Sequence, residues 1–384
     1  VRWLAFFIVF SLGWPVKGSH GQGGLVRGYL AQQNRLKRRA GLKFLALAIL
    51  LLAAWWAPAH LGMDASEQEI WDKVRAAQGY LAVWRQEQGF GSDPATDPWR
   101  LGLIGLEISP LTTTAGSLEA KRTACNPAWS VMTLRWLQGL GLKRGDRVAV
   151  YSSASFPGMI LNVLTAAEEL GLDVFLVVSL GSSTWGANHP QCPWPVLAAR
   201  LRSQGYIRTR AAFYTLGGGQ ENGGGLSPEG RAILRQAAAD AGVRLIHTAN
   251  LQEMIDRKWR LLKEHGAKFL VNIGGAQANL GTDQDVLTLK PGLLQPGQGI
   301  RAGNGVLGLA LQNGLPVVHF LNLKGLCTQT GVPFDSPPSK RFLGKWSFLI
   351  YGLALAVFAL VLFTHSRWGF WQPPDVNTQA NSIL

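Results

Sequence analysis

Arg147–Ser179, RVAVYSSASFPGMILNVLTAAEELGLDVFLVVS, decides the fold. Its first five residues, Arg147–Tyr151, are a short β-branched run. Pro157–Gly171 reads as a helix, with proline near its first turn and glycine at its end. Asp173–Ser179 is a second buried strand. The same alternation continues downstream. Trp194–Gly205, Ser227–Gly242, Leu251–His265 and Gly303–Asn313 read as helices. Ala211–Leu216, Val243–His247, Lys268–Ile273 and Pro316–Leu321 read as strands. Ser227 and Pro228 supply an N-cap and a first-turn proline. Short apolar strands alternating with helices predict an α/β fold: a mostly parallel sheet with helices on both faces.

Upstream, residues 64–90 predict a helix, because Ile70, Val74, Ala77, Leu81 and Trp84 recur at three- and four-residue spacing. Asp93-Pro94 and Asp97-Pro98 then mark a turn. Residues 61–140 form a helical arm and the entry to the sheet, and 141–339 the α/β domain, with 61–339 as one unit. Gln295–Gly305 is a glycine-rich loop. No internal repeat is visible.

The ends of the chain differ from its middle. Phe44–Ala57 (FLALAILLLAAWWA) and Trp346–Thr364 (WSFLIYGLALAVFALVLFT) are free of charged residues. Crossing a bilayer core takes about 20 apolar residues. The sequence-based expectation is therefore two flanking transmembrane helices, over 42–60 and 345–365, with a basic segment at 1–41 and a tail at 366–384. Arg35, Lys37, Arg38, Arg39 and Lys43 precede the first stretch and favour a cytoplasmic N-terminus. That orientation puts 61–339 on the outer side of a bacterial inner membrane, with the lipid bilayer as a partner. Lys340, Arg341 and Lys345 argue against it at the second stretch. Residues 3–14 fit a short third span, a signal-peptide-like core, or residues upstream of the true start.

The chain's net charge of +14 invites a nucleic-acid reading. Residues 61–339 hold 25 Lys/Arg against 22 Asp/Glu, so the excess lies in the flanks and that reading falls away. Cys125, Cys192 and Cys327 fit no metal spacing, and buried apolar thiols are the plain account of them. No His-x₃-His or Cys-x₂-Cys pair occurs, so neither a metal nor a cofactor is expected.

In open α/β sheets, ligands bind beyond the carboxyl ends of the strands. Several strands here end in small or hydroxyl residues. Ser152–Pro157, Ser179–Asn188, Gly217–Gly225 and Asn272–Asn279 each follow one, and His319 and Asn322 close the set. Backbone N–H groups in such loops favour anions. The candidate ligand-binding residues are Ser182, Ser183, Asn188, Gly218, Gly219, Asn272, Gly274, Gly275 and Asn322. Thr112 and Thr113, beside Lys121 and Arg122, could donate to an anionic polymer. The bland alternative makes each glycine a tight turn, each serine a helix cap and the Lys–Arg pair a solvated one. No dinucleotide fingerprint, P-loop or Gly-x-Ser-x-Gly elbow is present. A nucleophilic triad can still be assembled: Ser153 or Ser155 attacking, His319 as base, Asp283 or Asp285 orienting it. A core histidine in PVVHFLNLKG is the competing account of His319.

Taken in order, several blocks resemble the poly-γ-glutamate system protein family. They are Gly105–Thr113 (GLEISPLTT), Ala120–Thr123 (AKRT), Asn126-Pro127, Ser155-Phe156-Pro157 and Ser182–Asn188 (SSTWGAN). The glycine loop with Gly225–Gly230 (GLSPEG), Asn272–Gly275 (NIGG), Val318–Asn322 (VHFLN), Lys324-Gly325 and Pro333-Phe334-Asp335 complete the set. The resemblance spans roughly residues 40–340. It implies an accessory component of bacterial poly-γ-glutamate synthesis or export, beside the ATP-dependent ligase and its membrane partner. It assigns no catalytic residue. The glycine loop departs from the expected pattern, with Gln220 before a single acid, Glu221. Three functions compete: a polymer-binding component, a serine-dependent hydrolase or transferase of γ-glutamyl amide bonds, and a non-catalytic scaffold.

Overall fold

The computed structural model describes residues 24–61, 63–297, 302–340 and 347–367. It divides into two compact units. One runs from Met63 to Leu343; the other combines Val1–Gly62 with Gly344–Leu384. Among the described residues of the second, the first element is α1 (Gly24–Leu61).

The larger unit opens with α2 (Ala65–Glu87). Asp64 accepts the Glu67 N–H at 2.9 Å, and Glu67 accepts the Asp64 N–H at 3.1 Å, a reciprocal cap that fixes where the helix starts. Its apolar stripe, Ile70 to Trp84, is buried in the core. There follow β1 (Thr112–Thr114), α3 (Leu118–Ala124) and α4 (Ala128–Gly139). The repeating part then runs β2 (Arg147–Ser153), α5 (Pro157–Glu169), β3 (Asp173–Ser179), β4 (Ser182–Ser183), α6 (Trp194–Ser203), β5 (Ala211–Thr215) and α7 (Pro228–Asp240). It continues through α8 (Leu251–His265), β6 (Phe269–Ile273), α9 (Gln277–Leu280), β7 (Gly292–Leu294), α10 (Val306–Gln312), β8 (Val317–Phe320) and α11 (Leu323–Thr330).

Six strands form the main sheet in the order β5-β3-β2-β6-β8-β7. All neighbours are parallel except β7, which runs antiparallel to β8 at the edge, so the sheet is mixed. Side chains alternate across it. Val148 and Val150 of β2 join one apolar cluster with Val74, Leu134, Ile160 and Leu197 from α2, α4, α5 and α6. Ala149 and Tyr151 join the other, with Met254, Ile255 and Leu307 from α8 and α10. Helices thus cover both faces, as a parallel sheet requires. From β2 the chain steps outward through β3 to β5, then returns to place β6 on β2's other side. The switch point lies between the carboxyl ends of β2 and β6, where such sheets hold ligands.

The expected strand at Val243–His247 is reduced to a single bridge between Leu245 and Tyr214. Cys125, Cys192 and Cys327 are all free and buried. The short apolar stretch at 3–14, residues 298–301 of the glycine-rich loop and residues 368–384 of the tail lie outside the described residues.

The last helix among the described residues, α12 (Ser347–Arg367), belongs to the smaller unit with α1. Among the described residues no helix is long and apolar enough to cross a membrane. This corrects the expectation of transmembrane helices over 42–60 and 345–365, and with it the inner-membrane location and the membrane-tethered domain. The physical reason is length. The uninterrupted apolar run in α1, Phe44–Ala57, is 14 residues, about 21 Å at 1.5 Å per residue. In α12, polar Ser347 and Thr364–Arg367 leave Phe348–Phe363, 16 residues, or about 24 Å. A hydrocarbon core is about 30 Å thick.

Candidate functional site

The arm that precedes β2 folds over the carboxyl ends of β2 and β3. The sequence reason is local. Leu180-Gly181 ends β3 without a helix, and Ser182-Ser183 pairs in parallel with Thr112–Thr114 of the arm. Ser182 N–H donates to Leu111 O, and Thr184 N–H to Thr114 O. Asn188 is fully buried and stitches the arm down. Its amide donates to Leu106 O at 2.7 Å and to Thr112 Oγ1 at 2.9 Å, while its oxygen accepts the Leu106 N–H at 2.8 Å. Thr113 Oγ1 donates to Ser182 O at 3.2 Å. Thr112, Thr113 and Asn188 therefore direct their polar groups to the chain itself and shape the site rather than face a ligand.

Under this cover sits Lys121. Ser117 caps α3 through the Ala120 N–H, and one turn later Lys121 points inward with only 3 % of its surface exposed. Its ammonium donates to Ser155 O at 2.6 Å and to Ser183 Oγ at 2.7 Å, and lies 3.8 Å from the centre of the Phe156 ring. No carboxylate is among these partners. Burial pulls its pKa down to about 7, against a smaller opposing effect of the neighbouring Cys125. Three hydroxyls complete the cluster. Ser153 Oγ donates to Ser155 Oγ at 2.8 Å, and Ser155 Oγ also accepts the Ser183 N–H at 2.9 Å. Ser183 keeps 6 % of its surface exposed and Ser155 9 %, so the hydroxyls lie just beneath the surface. Gly116 closes over them; a methyl group there would stand 3.0 Å from Ser183 Oγ and 3.3 Å from Lys121 Cε. Gly274, at φ +77°, brings the end of β6 against Ser153 and Phe156 across the switch point, with Gly275 exposed beside it.

A second, deeper network lies beneath the glycine loop. Gly217–Gly225 folds on itself through a bridge between Gly219 and Gly224. Gly218 has φ +65°, and any side chain there would strike Gly224 O. This turn drives Glu221 into the core, itself at φ +59°. Lys258 of α8 meets both its oxygens at 2.8 Å, and Ser179 and Thr215 donate to Oε2 at 2.7 and 2.6 Å. Burial pushes the Glu221 carboxyl up, and the Lys258 ammonium and these hydroxyls more than reverse it, leaving the group below the usual carboxylate range. Lys258 also donates to Asn279 Oδ1 at 3.0 Å, Asn279 to Asn272 Oδ1 at 2.9 Å, and Asn272 to His319 Nδ1 at 3.0 Å.

His319 thus ends a buried polar chain rather than facing a serine. Burial lowers its pKa to about 4, which keeps the ring neutral at physiological pH. Asp283 is elsewhere: it caps a 3₁₀ turn by accepting the Asp285 N–H at 3.0 Å. No hydrogen bond joins Asp283 to His319, or His319 to Ser153 or Ser155, among the described residues. Arg122 is engaged by Asp335, with two bonds of 2.6 and 2.7 Å, which pins Pro333-Phe334-Asp335 to α3. Asn322 caps α11 by accepting the Gly325 N–H at 3.1 Å.

Two open grooves flank these networks. One, of about 470 Å³, is lined by Gly219, Gln220, Asn222, Gly223, Gly224, Arg231 and Arg235 at the glycine loop. The other, of about 370 Å³, is lined by Asp256, Asp283 and Asp285 among neutral residues. No three His, Cys, Asp or Glu side chains gather as metal ligands among the described residues. Compared with protein-family models, curated proteins and solved structures, the chain matches none.

Sequence reasoning missed two partnerships. Lys258 was readable: in α8 it falls in step with Leu251, Met254, Ile255 and Leu262, so a lysine occupies a core position. The contact of Lys121 with Ser183, 62 residues away, left no local signal.

Proposed function

We propose that this chain handles poly-γ-glutamate as an accessory component of its synthesis or export, binding the anionic polymer at the carboxyl ends of its strands. The observation that carries this reading is the groove at the glycine loop. It is open, it presents two guanidinium groups, Arg231 and Arg235, and no acidic side chain lines it. Arg231 is half held, donating to Leu226 O at 2.8 Å, which fixes its position at the rim. The neighbouring groove is acidic and repels a polyanion. An open trough suits a chain that passes through better than an enclosed pocket would. The ordered blocks that resemble the poly-γ-glutamate system family support the same reading, since the glycine loop is one of them. In this reading the partners are the polymer and the synthase complex.

The test is a titration of the full chain with poly-γ-glutamate at 50 and 200 mM salt. Binding that weakens with salt, and at least about tenfold further when Arg231 and Arg235 are both replaced by Gln, is expected from exposed charge pairing. Binding that is absent, or indifferent to both changes, overturns it.

A further inference from the structure

We propose that Lys121 and Ser183 form a base–nucleophile pair that cleaves amide bonds through an acyl-enzyme. The argument starts from the location. Both residues sit at the carboxyl ends of the central strands, where this sheet architecture holds its ligands. It continues with the contact. A nucleophilic serine needs a base within hydrogen-bond reach, and Lys121 Nζ is 2.7 Å from Ser183 Oγ. A lysine is a base only when neutral, and burial without a counter-ion is what makes it so. Each group facing Lys121 meets that condition: Ser155, Phe156, Ser183 and Gly116 carry no charge, and Cys125 is a buried thiol with a raised pKa. At a pKa of about 7 the amine is neutral over much of the physiological range.

The surrounding hydroxyls position the nucleophile. Ser155 Oγ accepts the Ser183 N–H and is held by Ser153 Oγ, so the backbone that carries Ser183 is fixed from below. Gly116 packs against the pair, and a Cβ there would stand 3.0 Å from Ser183 Oγ and 3.3 Å from Lys121 Cε, so a larger residue would displace it. The contrast with Lys258 is informative. That lysine is equally buried, but it faces the Glu221 carboxylate at 2.8 Å, and the one hydroxyl near it, Ser179 at 3.4 Å, donates to that same carboxylate.

The chemistry balances without a cofactor. Neutral Lys121 takes the Ser183 hydroxyl proton as Oγ attacks the amide carbon. The tetrahedral adduct collapses with loss of the C–N bond, and the Lys121 ammonium returns the proton to the leaving amine. Water then attacks the ester, its proton passing through Lys121, and releases the acid and free Ser183. An amine in place of water gives transfer instead of hydrolysis. Assigning the bond to the γ-glutamyl linkage rests on the proposed function; the base–nucleophile pair does not.

A fluorophosphonate probe tests the pair without a known substrate, because an activated serine displaces its fluoride. The full chain is incubated with probe, digested and mapped by mass spectrometry. The expected label is on Ser183, absent in Ser183→Ala, and slowed about 10²–10⁴-fold in Lys121→Met, the range a general base supplies. Circular dichroism melts of the variants check folding. If Lys121→Met does not fold, the wild-type pH profile decides: a labelling rate that rises to a plateau with a midpoint near 7 supports the pair. No label, label on another residue, an undiminished rate in a folded Lys121→Met, or a rate that climbs with hydroxide and never levels overturns it. Polymer binding with no labelling would remove this inference and leave the proposed function standing.

Discussion

Lys121 shows how one residue's surroundings decide its chemistry. The sequence places it beside Arg122 and suggests a pair of surface cations. The structure separates them: Arg122 forks onto Asp335, and Lys121 turns inward to two neutral acceptors. The consequence is a pH dependence of stability. Its pKa is about 7 in the folded chain and 10.5 in the unfolded one, so between those values the unfolded chain binds more protons. Stability contributed by this site therefore rises with pH from about 7 to about 10.5. Urea melts should show wild type gaining on Lys121→Met across that window; parallel profiles would contradict the placement. His319 behaves in the same sense lower down. Its folded pKa of about 4 against 6.5 means stability is lost as pH falls from 6.5 through 4, and His319→Gln should flatten that limb of an acid titration.

At the scale of elements, most strand–helix pairs from Arg147 to Ile273 were legible because period and length agree. β2, α5, β3, α8 and β6 lie where the pattern puts them. What was not legible depended on partners distant in sequence. The antiparallel β7 is three residues, Gly292–Leu294, too short to carry an alternation. Val243–His247 has strand-forming residues but pairs only through Leu245. The proposed triad shows a related difficulty: chain order places Ser, Asp and His in sequence, and only the fold shows Asp283 accepting from Asp285 and His319 pairing with Asn272. The glycine loop was noticed for its glycines, yet its structural effect is to carry Glu221 into the core. Glu221→Gln, or Lys258→Met, leaves an uncompensated buried group and should cost about 3–5 kcal/mol. The double replacement should cost less than the sum of the two single ones, a coupling that denaturant melts of the full cycle measure. Additive costs would show that the pair does not act as a unit.

For the molecule as a whole, the sequence marked out a 61–339 body, and the larger compact unit runs from Met63 to Leu343. Its two apolar clusters pack on opposite faces of one sheet, so fragment 63–343 should melt in a single transition at the midpoint that this unit shows in the full chain. A broadened or lowered transition would mean that residues outside it complete its core. The reading of the ends did not hold, because apolar composition registers hydrophobicity whereas a span requires about 30 Å of it. One placement within this body is open to direct measurement: Lys121 at the strand ends, with no carboxylate among its hydrogen-bond partners. A lysine Cε NMR titration of the full chain measures it directly. One resonance titrating near pH 7, and missing from Lys121→Met, is the result predicted. A Lys121 resonance that stays fully protonated to near pH 10.5 would contradict it.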